Sequence, residues 1–128
     1  MPDRLVSILD STFESCGWLT TVDLNNVVSI GSKAFKDCAL TSISFPKALR
    51  TLGTYAFQNN KLVSVEFPEN GALTSLPNYL FQDNTSLESI KIPAYIESFG
   101  NYIFDGCTGL EIVELGANSK LSKLGTYA

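Results

Sequence analysis

No histidine occurs in these 128 residues, so the commonest general base and the commonest neutral metal ligand are both missing. Cations are few: nine Lys plus Arg stand against thirteen Asp plus Glu, a net charge of −4. A phosphate backbone is held by a basic stripe, and this chain has none, so nucleic acid is not an expected partner. No apolar run is long enough to span a bilayer. The opening Met1, Pro2, Asp3 and Arg4 lack the apolar stretch and cleavage site of a secretory leader. Cysteine is scarce, with three residues and no C-x-x-C pair, so no metal centre is expected. The glycines are scattered singly and form no phosphate-cradling loop. Disorder is also excluded, since 45% of the residues are hydrophobic and only 17% are charged. The length fits one domain, residues 1–128, that buries a continuous core if its parts stack.

What the chain does contain is a repeat. Phe13, Phe35, Phe57, Phe81 and Phe104 head the same phrase at steps of 22, 22, 24 and 23 residues. A period in this range marks a solenoid, in which a coil cannot bury its apolar face alone and must stack on its neighbours. The second coil, residues 28–49, shows the grammar. Ile43 and Phe45 alternate with Ser42 and Ser44, the period-two pattern of a half-buried strand. Pro46 ends that strand because it has no N–H for a ladder. Ile30 supplies one inward residue mid-coil, and Gly31 follows as a turn. Phe35 and Cys38 lie three apart, which predicts a single helical or 3₁₀ turn with both on one face.

The inward strand positions recur as Leu19/Val22/Leu24, Leu40/Ile43/Phe45, Leu62/Val65/Phe67, Leu87/Ile90/Ile92 and Leu110/Val113/Leu115. The mid-coil apolar column is Ile8, Ile30, Leu52, Leu76, Phe99 and Leu124. Glycine follows it at Gly31, Gly53, Gly100 and Gly125, with Leu9 and Pro77 as exceptions. These columns read as stacked core rather than as a cofactor pocket.

Cys16, Cys38 and Cys107 each fall three residues after a repeat Phe. Cysteine suits that position as a small, buryable side chain, and free thiols are expected. Asn60 and Asn84 replace it in the third and fourth coils, where an inward amide would bond free backbone groups in the turn. Residues 68–72 and 116–120 each lengthen the loop after a strand, with Asn70-Gly71 and Asn118-Ser119 as turn chemistry.

The phrase I-G-x-x-A-F-x-x-C-x-x-L-x-S-I-x-F-P, read from Ile30 to Pro46, resembles the BspA-like leucine-rich repeat. The likeness runs from about Leu5 to Ala128. Coils two and five match best, coil one has Ser11-Thr12-Phe13 in place of the Ala-Phe pair, and coil four has Tyr79-Leu80-Phe81. The resemblance implies a leucine-rich-repeat solenoid: short parallel β-strands on a concave face, with turns and short helical or 3₁₀ segments elsewhere. It also implies a surface or secreted protein of bacteria or protozoa that acts as a non-enzymatic, adhesin-type interaction module for host or matrix proteins.

In such an arc the outward strand residues form a ladder. One column is Asp23, Ser44, Glu66, Lys91 and Glu114; the next is Thr21, Ser42, Ser64, Ser89 and Ile112; a third is Thr20, Thr41, Val63, Glu88 and Glu111. The candidate binding face is drawn from these: Asp23, Ser42, Ser44, Ser64, Glu66, Ser89, Lys91, Glu111 and Glu114. It is hydroxyl-rich, with an acidic half toward the C-terminus, and suits a basic or hydroxyl-rich protein partner. The bland reading is that polar residues merely solvate an exposed sheet face. Glu111 and Glu114 are a carboxylate pair, but they sit on a smooth face without a cleft, so no enzyme and no cofactor are expected. Trp18, the single tryptophan, is read as covering the open end of the first coil or as an interface anchor. Residues 124–128 repeat residues 52–56 and stop before the next Phe, which reads as an incomplete sixth coil whose open end invites self-association. The alternative to an interaction module is a structural spacer with no ligand of its own.

Overall fold

Successive coils run the same way around one core, so their strands pair in parallel. The computed structural model describes residues 6–122 and Gly125, and these wind as a parallel β-solenoid of about five turns. Leu5, Leu124 and residues 126–128, on which part of the repeat reading rests, lie outside the described residues. Nine short strands occur among the described residues: β1 Val6–Ile8, β2 Val27–Ile30, β3 Ser42–Ser44, β4 Thr51–Leu52, β5 Ser64–Glu66, β6 Ser75–Leu76, β7 Ser89–Ile92, β8 Ser98–Phe99 and β9 Ile112–Leu115. They fall into two columns. β3, β5, β7 and β9 carry the alternating phrases. β1, β2, β4, β6 and β8 form a second, mid-coil column that the single inward residue per coil did not announce.

Between the columns lies the aromatic core. Phe35, Phe57 and Phe81 are fully buried. Phe13, Phe35 and Phe57 stack at centroid distances of 5.2 and 5.3 Å, and the file continues through Phe81 to Phe104 at 6.3 and 6.1 Å. Identical residues one period apart must meet face to face in a solenoid, and parallel rings in this range are favourable.

The expected helical or 3₁₀ segment is absent among the described residues; the stretch after each mid-coil strand is a run of turns. The reason is local. Lys33 and Asp37 flank Phe35 at φ 59° each, and the pairs Ser11/Ser15, Tyr55/Asn59, Tyr79/Asp83 and Tyr102/Gly106 repeat the arrangement. A left-handed residue on either side stops a right-handed helix from propagating. It also aims alternate N–H groups along the solenoid axis. Lys33, Phe35 and Asp37 donate to the carbonyls of Thr54, Ala56 and Gln58 at 2.9, 2.9 and 3.0 Å. Among the described residues the same three bonds recur between each pair of neighbouring coils from one to five, for example from Tyr79, Phe81 and Asp83 to Asn101, Ile103 and Asp105.

The strand columns are less continuous. β3 pairs with β5, and β7 with β9, but β5 and β7 belong to separate sheets. A spacing in the sequence accounts for this. From the Cys/Asn position to the next Leu is two residues in coils two and three (Cys38 to Leu40, Asn60 to Leu62), and three in coils one, four and five (Cys16 to Leu19, Asn84 to Leu87, Cys107 to Leu110). Coils of equal spacing align their strands; unequal neighbours do not. For the same reason the phrase in coil one, residues 21–24, forms no strand, contrary to the alternation of Val22 and Leu24. Coil two bonds instead to the residues just before it, Ala39 and Thr41 donating to the Leu19 and Thr20 carbonyls at 3.0 and 3.3 Å.

Candidate interaction face

The alternation sets the face. Ile43 and Val65 point into the core, while Ser42, Ser44, Ser64 and Glu66 on either side of them are exposed. Register joins Ser42 to Ser64 and Ser44 to Glu66 across β3 and β5, and Ser89 to Ile112 and Lys91 to Glu114 across β7 and β9. So seven of the nine candidate residues, all but Asp23 and Glu111, sit in two ladders. Glu111 is exposed one residue before β9 and donates its N–H to the Glu88 carbonyl at 2.8 Å. Asp23 stands apart. Its segment is not a strand, and its Oδ1 accepts the Asn25 N–H at 3.0 Å in a local turn.

Charge on the face is left open. Among the described residues, the ion pairs within 4.0 Å join Lys36 to Glu14 and Asp37 on the turn side. Lys91 and Glu114 are cross-strand neighbours, a placement that favours opposite charges. Two apolar residues also stand on the face, Val63 and Ile112, 54% and 59% exposed. A shallow groove of about 410 Å³ lies where β5 and β7 fail to pair, lined by Val65, Glu66, Phe67, Pro68, Lys91 and Pro93 among others.

The other candidates resolve into structure. Cys16, Cys38 and Cys107 are free, the first half-buried and the others buried. Burial pushes the Cys38 thiol up, and the Cys107 thiol to about 11, so at neutral pH neither is a nucleophile. Each donates S–H to the Phe carbonyl of the preceding coil, Cys38 to Phe13 and Cys107 to Phe81, both at 3.0 Å. Asn60 and Asn84 do bond turn backbone as expected. Their amides donate to the Phe35 and Phe57 carbonyls at 2.8 and 2.9 Å. Among the described residues no group of carboxylates and thiols is placed to hold a metal ion. Trp18 is 75% exposed, so it covers little of the first coil. No helix among the described residues is long and apolar enough to cross a membrane.

Comparison with known proteins agrees with this geometry. The profile of the BspA type leucine rich repeat region matches in six copies across residues 1–128. A solved leucine-rich repeat protein from Bacteroides ovatus is 32% identical, with a TM-score of 0.86 over 100% of this chain and 33% of that one. The pneumococcal vaccine antigen PcpA shares the fold at 17% identity, with a TM-score of 0.67 over 96% of this chain and 37% of that one. The chain thus spans about a third of the length of these solved proteins. No curated protein sequence matches it significantly. Repeat profile, identity and fold coincide along the whole chain, and it belongs to the BspA-type leucine-rich repeat family.

Proposed function

We propose that this chain is a non-enzymatic protein-interaction module, an adhesin-type segment of a surface or secreted protein, whose partner docks on the concave strand face. The observation that carries the reading is the face itself. Hydroxyls at Ser42, Ser44 and Ser64 lead into acids at Glu66, Glu111 and Glu114, all exposed and none held in an ion pair within 4.0 Å among the described residues. A basic or hydroxyl-rich protein surface complements it, and the acids would steer encounter and set specificity. Family membership supports interaction as the role, since repeats of this kind build extended binding surfaces. The surface or secreted location rests on that membership too.

The test is surface plasmon resonance against a panel of immobilised matrix and cell-surface proteins, with the Glu66→Lys/Glu114→Lys double variant as the probe of the face. Binding that weakens mainly through the association rate, with a difference that shrinks at high salt, is the expected outcome. Unchanged binding overturns the assignment of the face. A spacer role is favoured by one observation: the turn-side bonds repeat at every seam regardless of what the face carries. A spacer would keep its function when the exposed face residues are replaced by alanine.

A further inference from the structure

The four seams between neighbouring coils are not alike. Coils two and three share both strand ladders, β2–β4 and β3–β5, as do coils four and five through β6–β8 and β7–β9; coils one and two share β1–β2. Coils three and four share neither. Three local causes coincide there. Gly31, Gly53 and Gly100 each donate their N–H to the mid-coil residue of the previous coil, Ile8, Ile30 and Leu76, at 2.7, 2.7 and 2.8 Å. In coil four that position is Pro77, which has no N–H to give to Leu52. The Cys/Asn-to-Leu spacing changes from two residues to three at this seam. The loop of residues 68–72 adds length after β5. Consequently Phe67 and Glu88 make no backbone bond across the seam among the described residues, although their counterparts Phe45 and Glu111 donate to Glu66 and Glu88 at 2.9 and 2.8 Å.

The turn side of the same seam is closed. Tyr55, Phe57 and Asn59 donate to Asn78, Leu80 and Gln82, and the Tyr55 and Tyr79 rings stack at 4.5 Å and 4°. Deeper in, the rings splay: Phe57 and Phe81 are tilted by 27°, against 6° for Phe35 and Phe57 and 14° for Phe81 and Phe104. At the open side lies the groove between Phe67 and Pro68 of coil three and Lys91 and Pro93 of coil four. One tether bridges its end, the Tyr95 hydroxyl donating to the Pro68 carbonyl at 2.9 Å.

We infer that this seam is a hinge, with coils one to three and coils four and five as two blocks that rotate about the turn-side bonds and open or close the groove. Rotation breaks no ladder, because none spans the seam, and the turn-side bonds and the aromatic stack act as the axis. The hinge also divides the strand face into a hydroxyl-rich part ending in an acid (Ser42, Ser44, Ser64, Glu66) and a more charged part (Glu88, Lys91, Glu111, Glu114) that change their relative aim. That consequence rests on the proposed function; the hinge itself does not.

The experiment is measurement of backbone residual dipolar couplings on the isotopically labelled chain, fitted separately for residues 28–67 and 87–115. Two alignment tensors of different magnitude are expected, with the Phe67 and Glu88 amides exchanging about tenfold or more faster than those of Phe45 and Glu111, as open groups do. Pro77→Gly returns a donor for Leu52 and should bring the two tensors together. Tyr95→Phe cuts the tether and should separate them further. A single tensor of one magnitude across both blocks in the unaltered chain overturns the hinge. No binding partner enters the measurement, so its failure is separate from failure of the interaction reading.

Discussion

Asn60 completes a backbone bond in the coil before its own: its Oδ1 accepts the N–H of Leu40 at 3.0 Å. Asn84 does the same for Leu62 at 3.3 Å. These two leucines follow the short, two-residue spacing, which leaves their N–H without a local acceptor. Where the spacing is three residues, the turn closes on itself, and Leu19, Leu87 and Leu110 donate to Cys16, Cys38's counterpart Asn84, and Cys107 at 2.9, 3.2 and 3.0 Å. The coil after a short spacing therefore carries Asn, and the coil after a long one carries Cys. Both residues donate to the preceding Phe carbonyl; only Asn also supplies an acceptor.

Asn60→Cys separates those two roles. The thiol can still donate to Phe35, but the buried Leu40 N–H loses its partner. We expect a loss of about 1–3 kcal/mol, the cost of one buried group left unpaired, read as a lower urea midpoint. Asn60→Ala should cost more, since it strands the Phe35 carbonyl too. Equal stability of Asn60→Cys and the unaltered chain would show that Leu40 does not need the amide.

Among the described residues Gly106 is the one left-handed glycine, at φ 77°, in a position held by Asp37, Asn59 and Asp83 in the coils before it. A Cβ there would lie 2.0 Å from Asp83 Oδ1. Gly106→Ala should destabilise by about 1–2 kcal/mol from backbone conformation alone, before any side-chain clash. Asp83→Ala should relieve the clash component, so the double variant is expected to be more stable than the two single effects sum to. Thermal unfolding of the four chains closes the cycle; strict additivity would count against the contact.

Alkaline pH should weaken the fold. Burial raises the Cys107 thiol from an ordinary 9.0 to about 11, and raises Cys38 and Tyr95 as well. The folded chain then holds protons that the unfolded chain releases, so this stability is complete below pH 9 and falls as pH rises toward 11. Urea titrations at pH 7 and at pH 10.5 should show the lower midpoint at the higher pH, with a smaller drop in Cys107→Ala. At neutral pH the half-buried Cys16 should react first with a thiol reagent. A pH-independent midpoint would contradict the burial of these groups.

Much of this was legible in the residues. Phe35, Phe57 and Phe81 announce a stacked column because a repeated side chain on a repeated backbone must meet its copies. Ser42 and Ser44 around Ile43 announce an exposed face because a strand alternates. The turn around Phe35 was not legible as a turn. A three-residue spacing fits helix and turn alike, and Lys33 and Tyr55 are not residues that advertise a positive φ. The mid-coil strands were equally hidden, since two residues such as Ser75 and Leu76 carry no period.

Sequence alone determined the solenoid, most of the inward positions and the composition of the face, since each follows from a pattern repeated within one coil; Val113 and Leu115, expected inward, stand 44% and 47% exposed in the last described strand. Only the tertiary structure decided which coils are zipped together and which meet without a ladder. That outcome depends on comparing neighbours: Pro77 against Gly53, or the spacing after Asn84 against that after Asn60. A hydrogen bond between coils exists only when a donor in one lies level with an acceptor in the other, and no single coil contains that information.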